Sequence, residues 1–443
     1  MSVNRTSGFF RQSSWMVIAT FAGGFFMALV HTVAGHMGRG EYSTFVSLLR
    51  LLIIMGIPSA ALQTIFARQA ATVNNRADEQ HLIATTRAIL GALVVIWIVS
   101  GIALLCALRP ISHLLKVSNP LALYFTIGLG FTGLPIPVMK GLLQGQHRFA
   151  GLGWLQITDG VGRFTIMLIV IYALKGKAAG AMGAALVGQL LTLAIAAALT
   201  RGSWAVRPSV SFQWKQWLAE ALPLTAGLGT VLLMSSIDML FVQSLFTDPS
   251  QTALYGGAML TGFAIVQFIA PVSLVMFARV ARSVAREERS DSLGMTLAAT
   301  VLFGCLAGIG STLFPRLPLR LMYFTNRAMW AASPLVPWFA WALLPVTVAN
   351  VLVQNILARS RFRAIPWLVL VPALYAAALC WQAPALLQMP VFAAFVRVIQ
   401  TLGLSALLLC AMAAWFSRVP APDASDPDAP APAISRKASS PVE

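Results

Sequence analysis

The chain of 443 residues is 58% hydrophobic and 10% charged, with a mean hydropathy of +0.78 and a formal net charge of +17. No soluble core of this length needs so much apolar sequence, so composition excludes a soluble globular protein and predicts a polytopic membrane protein. The basic excess is topogenic and lipid-facing by its distribution, described below, and excludes a nucleic-acid partner.

Twelve apolar stretches are each long enough to cross a hydrocarbon layer of roughly 30 Å. They lie near 13–35, 43–66, 83–108, 120–143, 153–174, 178–200, 221–246, 252–278, 292–314, 331–356, 365–387 and 390–416. Strand-length alternation is absent, which predicts an all-α protein whose backbone groups are satisfied within each helix. Residues 1–12, MSVNRTSGFFRQ, precede a first span longer than twenty residues and followed at once by another. That span reads as a retained helix, not a cleaved signal peptide.

The second span, VSLLRLLIIMGIP, carries Arg50 too deep for easy snorkelling. A guanidinium there either grips an anion from a cleft or sits in a structural ion pair. The fourth span ends in GLLQGQHRFAGLGW, residues 141–154, a polar string with Arg148 and Phe149. In the fifth span, Asp159 and Arg163 stand i, i+4 and predict a structural pair on one helical face. The connection 201–220, rich in Trp, Arg and Lys, reads as an interfacial linker between an N-lobe (13–200) and a C-lobe (221–416).

The seventh span places Asp238 in its outer half, as a salt-bridge partner, a coupling-cation ligand or a substrate contact. Gln63, Gln243 and Gln267, on spans two, seven and eight, stitch helices or read hydroxyl groups. Arg397 lies near the outer end of span twelve, to snorkel or to touch substrate. The tail 417–443, rich in Pro, Ala, Ser and Asp, reads as disordered.

Twenty of the Lys and Arg residues fall on the side that holds the termini and eight on the other, which predicts both termini in the cytoplasm. Cys106, Cys305, Cys380 and Cys410 lie in apolar stretches without paired spacing and read as small buried hydrophobes. The five His (31, 36, 81, 113 and 147) are scattered, and no acidic pair or nucleotide-binding loop is evident. No enzyme activity, metal or cofactor is expected.

At an offset of 213, Tyr42 falls on Tyr255, Pro58 on Pro271, Arg148 and Phe149 on Arg361 and Phe362, and Trp154 on Trp367. Six spans per half give the halves one orientation, so a parallel repeat with matched inner corners, GLLQGQHRFAGLGW and ILARSRFRAIPW, is predicted. Arg at these corners anchors helix ends, with Phe and Trp at headgroup depth.

GLLQGQHRF resembles the Gly-Gln-Gly-x-x-Arg-Phe connection of bacterial polysaccharide-biosynthesis membrane proteins, in the multidrug/oligosaccharidyl-lipid/polysaccharide exporter superfamily. SSIDMLFVQSLFTDPSQTALYGGAML (235–260) is similar to that family's seventh span, and GRGEYSTFVSLLRLL (38–52) to its first outer turn and second span. The resemblance covers residues 1 to about 290 and implies two pseudosymmetric six-helix lobes around a cleft lined by spans one, two, seven and eight. A major-facilitator fold is disfavoured, because ARQAATVNNRADEQH (67–81) stands where its Gly-x-x-x-Asp-Arg-x-Gly-Arg-Arg-like turn belongs.

The implied function is a flippase in the cytoplasmic membrane for a lipid-linked oligosaccharide or polysaccharide precursor, driven by an ion or potential gradient. Arg50, Arg397, Gln63 and Gln267 are the substrate candidates and Asp238 the coupling or salt-bridge candidate; membrane lipids and a polymerase or glycosyltransferases are the implied partners. The other readings are a cation-coupled multidrug exporter of the same superfamily and a non-transporting scaffold of a polysaccharide-assembly complex.

Overall fold

A computed structural model describes residues 3–73, 75–206, 210–263, 292–324, 326–359 and 361–418, and among them every regular element is helical. The first half runs through α1 (Val3–Ala34), α2 (Arg39–Met55), α3 (Ile57–Ala71), α4 (Arg76–Cys106), α5 (Leu108–Leu114), α6 (Leu121–Gly133), α7 (Pro135–Gly145), α8 (Phe149–Leu168) and α9 (Ala178–Leu199). The second half comprises α10 (Trp214–Met234), α11 (Ile237–Leu245), α12 (249–263), α13 (Ser292–Leu313), α14 (Leu317–Met322), α15 (Val336–Ala358), α16 (Ile365–Leu386) and α17 (Val391–Arg418). Among the described residues ten helical runs are long and apolar enough to cross a membrane, and the bent pair α2 and α3, taken as one span, makes an eleventh. α12 begins the span expected at 252–278; the rest of that span, with Gln267, Pro271 and the inner segment 279–289, lies outside the described residues, as does the tail from 419.

Large apolar side chains point outward along these helices, among them Val95 and Val99 on α4, Leu302 and Leu306 on α13, and Leu404 on α17. In water such a surface would aggregate; in a bilayer it is the lipid-facing wall. Two of the four cysteines, Cys106 and Cys380, share that exposed surface, so the expectation that all four are buried is corrected. A thiol costs little against acyl chains, which is why apolar surroundings in the sequence did not imply burial.

Packing repeats between the halves. α1 lies on α8, α8 on α9, α6 on α9 and α4 on α6; correspondingly α10 lies on α16, α16 on α17, α15 on α17 and α13 on α15. These are two pseudosymmetric six-helix lobes, joined where α2 and α3 meet α10 and α11. One face of the bundle carries the turns at 72–73, 146–148, 200–206 and 359 and is called the terminal face; the other carries 35–38, 115–120, 246–248, 314–324 and 326–335.

Both interface spans are broken within their length. Span two bends by 44° between α2 and α3, where Gly56 closes the first helix and Pro58 opens the second. Span seven breaks at Ser235 and Ser236, between α10 and α11. Broken helices expose backbone dipoles inside the membrane, and they are tolerated only where a cavity or protein groups meet them.

Candidate functional site at the lobe interface

Arg50 projects from α2 into the break of span seven. It is 3% exposed, its Nη1 lies 3.4 Å from the Ser235 carbonyl oxygen, and its guanidinium stands 4.0 Å over the Phe263 ring. Ser235 ends α10, so the cation sits at the negative end of a half-helix and against an aromatic face, both favourable for a guanidinium. Asp238 lies just across the break, buried in the first turn of α11, where the dipole favours an anion. Its Oδ2 accepts a 2.8 Å hydrogen bond from the Tyr255 hydroxyl.

The two charges are within electrostatic range of one another, yet they form no ion pair. Among the described residues the ion pairs are Arg68 with Glu220 and Arg163 with Asp159. Among the described residues Arg50 therefore leaves most of its charge-assisted hydrogen-bonding capacity unspent.

His31 on α1 completes the cluster. Among the described residues its buried Nδ1 has no hydrogen-bond partner, and its ring lies 5.9 Å from Phe45 and 6.5 Å from Tyr42. Sequence reading passed over this histidine as one of five scattered ones; its place on span one, a half-turn from a buried helix end, was the available signal. The cluster thus gathers one cation, one anion and one histidine among aromatic rings, drawn from spans one, two, seven and eight.

The face away from the termini is closed over this cluster. Tyr42 and Tyr323, both fully buried, join hydroxyls at 2.5 Å across the lobes. Ser43 bonds Gln243 and lies 2.6 Å from the Thr252 hydroxyl, while Gln243 Nε2 donates to the Leu115 carbonyl at 3.1 Å. Thr32 donates to the Met322 carbonyl at 2.6 Å, and Lys116 to that of Phe246. On the terminal face, Arg68 of α3 meets Glu220 of α10 at 2.9 Å, both about a third exposed.

The remaining candidates fall elsewhere. Gln63 Nε2 donates to Gln144 Oε1 at 3.1 Å and links α3 to α7; with Gln243 it belongs to helix stitching. Arg397 is exposed on α17 and has no hydrogen bond or ion pair from its guanidinium among the described residues, so it does not join the Arg50 cluster. Asp159 and Arg163 pair at 2.9 Å inside the N-lobe, and Arg163 also donates to Gln189, which in turn bonds Thr132 and the Leu129 carbonyl. Lys140 lies within α7 and donates to Gln156 at 3.3 Å.

The two corners do the same work. Arg148 Nη1 donates to the Leu199 carbonyl at 2.6 Å, and Arg361 Nη1 to those of Phe416 and Ser417 at 3.1 and 3.0 Å. Each arginine thus satisfies orphan carbonyls at the end of its lobe's last span. Phe149 and Phe362 are half-buried beside them, and Trp154 and Trp367 are exposed on the outer wall. The corners are locks on helix ends before they are anchors in lipid.

The same fold occurs in solved structures. A multidrug resistance MATE family transporter of the multidrug/oligosaccharidyl-lipid/polysaccharide exporter superfamily, in an inward-facing conformation, has a TM-score of 0.68 and 10% identity over 89% of this chain and 94% of its own. The lipid II flippase MurJ in an inward closed conformation gives 0.68 and 11% over 93% and 88%. A transporter of the same superfamily from Pyrococcus furiosus, described as having a binding pocket of reverse polarity, gives 0.64 and 13% over 92% and 94%. No curated protein matches the sequence significantly. A family described as polysaccharide biosynthesis protein matches residues 40–283, more than half of the chain and the stretch that holds Arg50, Asp238 and both broken spans. The chain accordingly belongs to the polysaccharide biosynthesis protein family.

Proposed function

We propose that this protein flips a lipid-linked saccharide across the cytoplasmic membrane by alternating access, with both termini in the cytoplasm. The observation that carries the reading is Arg50, buried at the lobe interface without a carboxylate in contact among the described residues. A guanidinium in that position favours an anionic headgroup such as a phosphate or an acidic sugar. The saccharide head enters from the terminal face between the lobes, while its lipid tail stays in the bilayer; parting of the opposite face then releases it. Outward movement of negative charge gains roughly 2.3 kcal/mol per charge per 100 mV of inside-negative potential, so no nucleotide is required. Membrane lipids and the glycosyltransferases or polymerase that make and use the saccharide are its partners.

The test is reconstitution. Proteoliposomes holding the protein are expected to move a fluorescent polyprenyl-linked saccharide between leaflets faster than protein-free liposomes, and equal rates would reject the reading. The multidrug alternative makes the opposite demand on the cleft: efflux of a cationic dye that needs Asp238 and survives Arg50→Ala would establish it, because a lone guanidinium repels a cationic substrate.

A further inference from the structure

A cavity outside the lobe interface has no part in this transport reading. It holds about 330 Å³ between α4 and the turn at 201–206, and is lined by Arg87, Leu90, Trp204 and Ala205. Arg87 is exposed, and its Nη1 donates to the carbonyls of Trp204, Ala205 and Val206 at 3.3, 3.5 and 3.2 Å. Its Nε and Nη2 make no hydrogen bond among the described residues, so half of the guanidinium fork faces the cavity unused. The Trp204 ring is fixed by donation from Nε1 to the Ala197 carbonyl at 3.1 Å. No acidic residue lines the cavity, and the same turn is flanked by two more cations, Arg201 and the corner residue Arg148.

Helical spacing says what faces this cavity. Positions 87, 94, 98 and 105 fall on one face of α4. Val94, Ile98 and Leu105 are exposed there, so the face looks into lipid. Arg87 lies about 10 Å from Val94 along the axis, at the end of the apolar stripe, which is headgroup depth. Between them stands Gly91, where an added Cβ would meet nothing within 4 Å. The stripe is therefore open at Gly91, about one helical turn from a guanidinium beside a tryptophan.

We infer that this cavity binds an anionic phospholipid of the leaflet at the terminal face. The phosphate takes the free edge of Arg87, Trp204 walls the headgroup, and one acyl chain runs along Gly91, Val94 and Ile98. Guanidinium pairs with phosphate in a planar fork, and basic pockets beside spans are lipid-headgroup sites by the same chemistry. A free phosphate would meet the same cation but would gain nothing from the apolar stripe. Because the 201–213 segment joins the two lobes, a lipid here ties α4 to the linker and stiffens the joint about which the lobes move.

The experiment uses the full chain, delipidated in detergent and titrated with phosphatidylglycerol, with phosphatidylcholine of the same chains, or with inorganic phosphate. Retained lipid is read by native mass spectrometry and stabilisation by thermal melting. Phosphatidylglycerol is expected to remain bound and raise Tm, while the other two do neither. Arg87→Gln should weaken its retention about five- to tenfold, the worth of one cation near an anionic headgroup. Gly91→Leu, which fills that opening and leaves Arg87 in place, should weaken it comparably, whereas Arg316→Gln on the opposite face should not. Equal effects of phosphatidylcholine, a full Tm shift with inorganic phosphate, or wild-type retention in both the Arg87 and the Gly91 variant would each overturn the inference.

Discussion

Arg50 and Asp238 occupy the two sides of one break: the cation at the end of α10, the anion at the start of α11. Each is stabilised by a half-helix dipole and a neighbour of its own, Phe263 for the cation and Tyr255 for the anion. Tyr255→Phe removes the donor from a buried carboxylate and should cost about 1–3 kcal/mol in thermal or denaturant melts of the purified protein. Asp248 supplies a pH signature. It caps α12, accepting from the backbone and hydroxyl of Ser250, and these bonds hold its carboxyl below the usual range. A carboxyl lowered by folding contributes stability that is present above its unfolded value and lost as pH falls through the folded one. Asp248→Ala should therefore lower stability by about 1 kcal/mol at neutral pH, with the gap to wild type narrowing below about pH 4; a gap that widens in acid would refute the cap. Arg50 and Asp238 were legible in the sequence because a charge inside an apolar run is conspicuous. His31 and the partner of Asp238 were not, since only the packing of span one and span eight brings them there.

At the scale of helices, the polar string GLLQGQHRF resolves into two devices. Its first is Gly141 and Gly145, spaced as a small-xxx-small pair, on which α7 approaches α3; a Cβ at Gly141 would come within 2.5 Å of the Gln63 carbonyl. Gly141→Leu should separate the two helices and cost more than about 2 kcal/mol, whereas Gly24→Leu, where an added Cβ meets nothing, should cost far less. The second is Arg148, matched by Arg361, each holding the end of its lobe's last span. Arg148→Ala and Arg361→Ala should each lower stability by about 1–2 kcal/mol and by similar amounts, measured by thermal melting in detergent. The repeat was readable because Arg-Phe and Trp-Leu landmarks are rare in oily sequence. What the arginines hold was not, because the end of span six lies 51 residues from Arg148 along the chain.

For the whole molecule, the two faces of the lobe interface differ. Away from the termini a run of buried hydroxyl, amide and backbone bonds crosses it, from Thr32 to Thr252 and Tyr323. At the terminal face an exposed pair, Arg68 with Glu220, joins α3 to α10. Exposed ion pairs contribute little, typically under about 1 kcal/mol, so among the described residues the polar bonds across this end are the weaker ones. The proposed cycle requires the buried seal to open in turn. Ser43 and Thr252 have hydroxyls 2.6 Å apart, and cysteines placed there in a background lacking the native four should cross-link on oxidation. Flipping should then stop and return on reduction; continued flipping by the cross-linked protein would exclude alternating access through this face. A polytopic all-helical chain in two halves was visible in hydropathy and charge asymmetry, with ten or eleven of the twelve expected spans present among the described residues, but which face is closed is a property of the packed interface alone.

The central claim is that Arg50 takes the anionic head of the lipid-linked saccharide. Its most direct test is the initial rate at which proteoliposomes with an inside-negative potential move a fluorescent polyprenyl-diphosphate saccharide, compared for wild type, Arg50→Ala and Arg50→Lys at matched reconstitution. Loss of one charge-assisted anion contact is worth about 1.5–3 kcal/mol, so Arg50→Ala should fall by roughly 10- to 150-fold and Arg50→Lys should recover part of the rate. A wild-type rate in Arg50→Ala would contradict the claim.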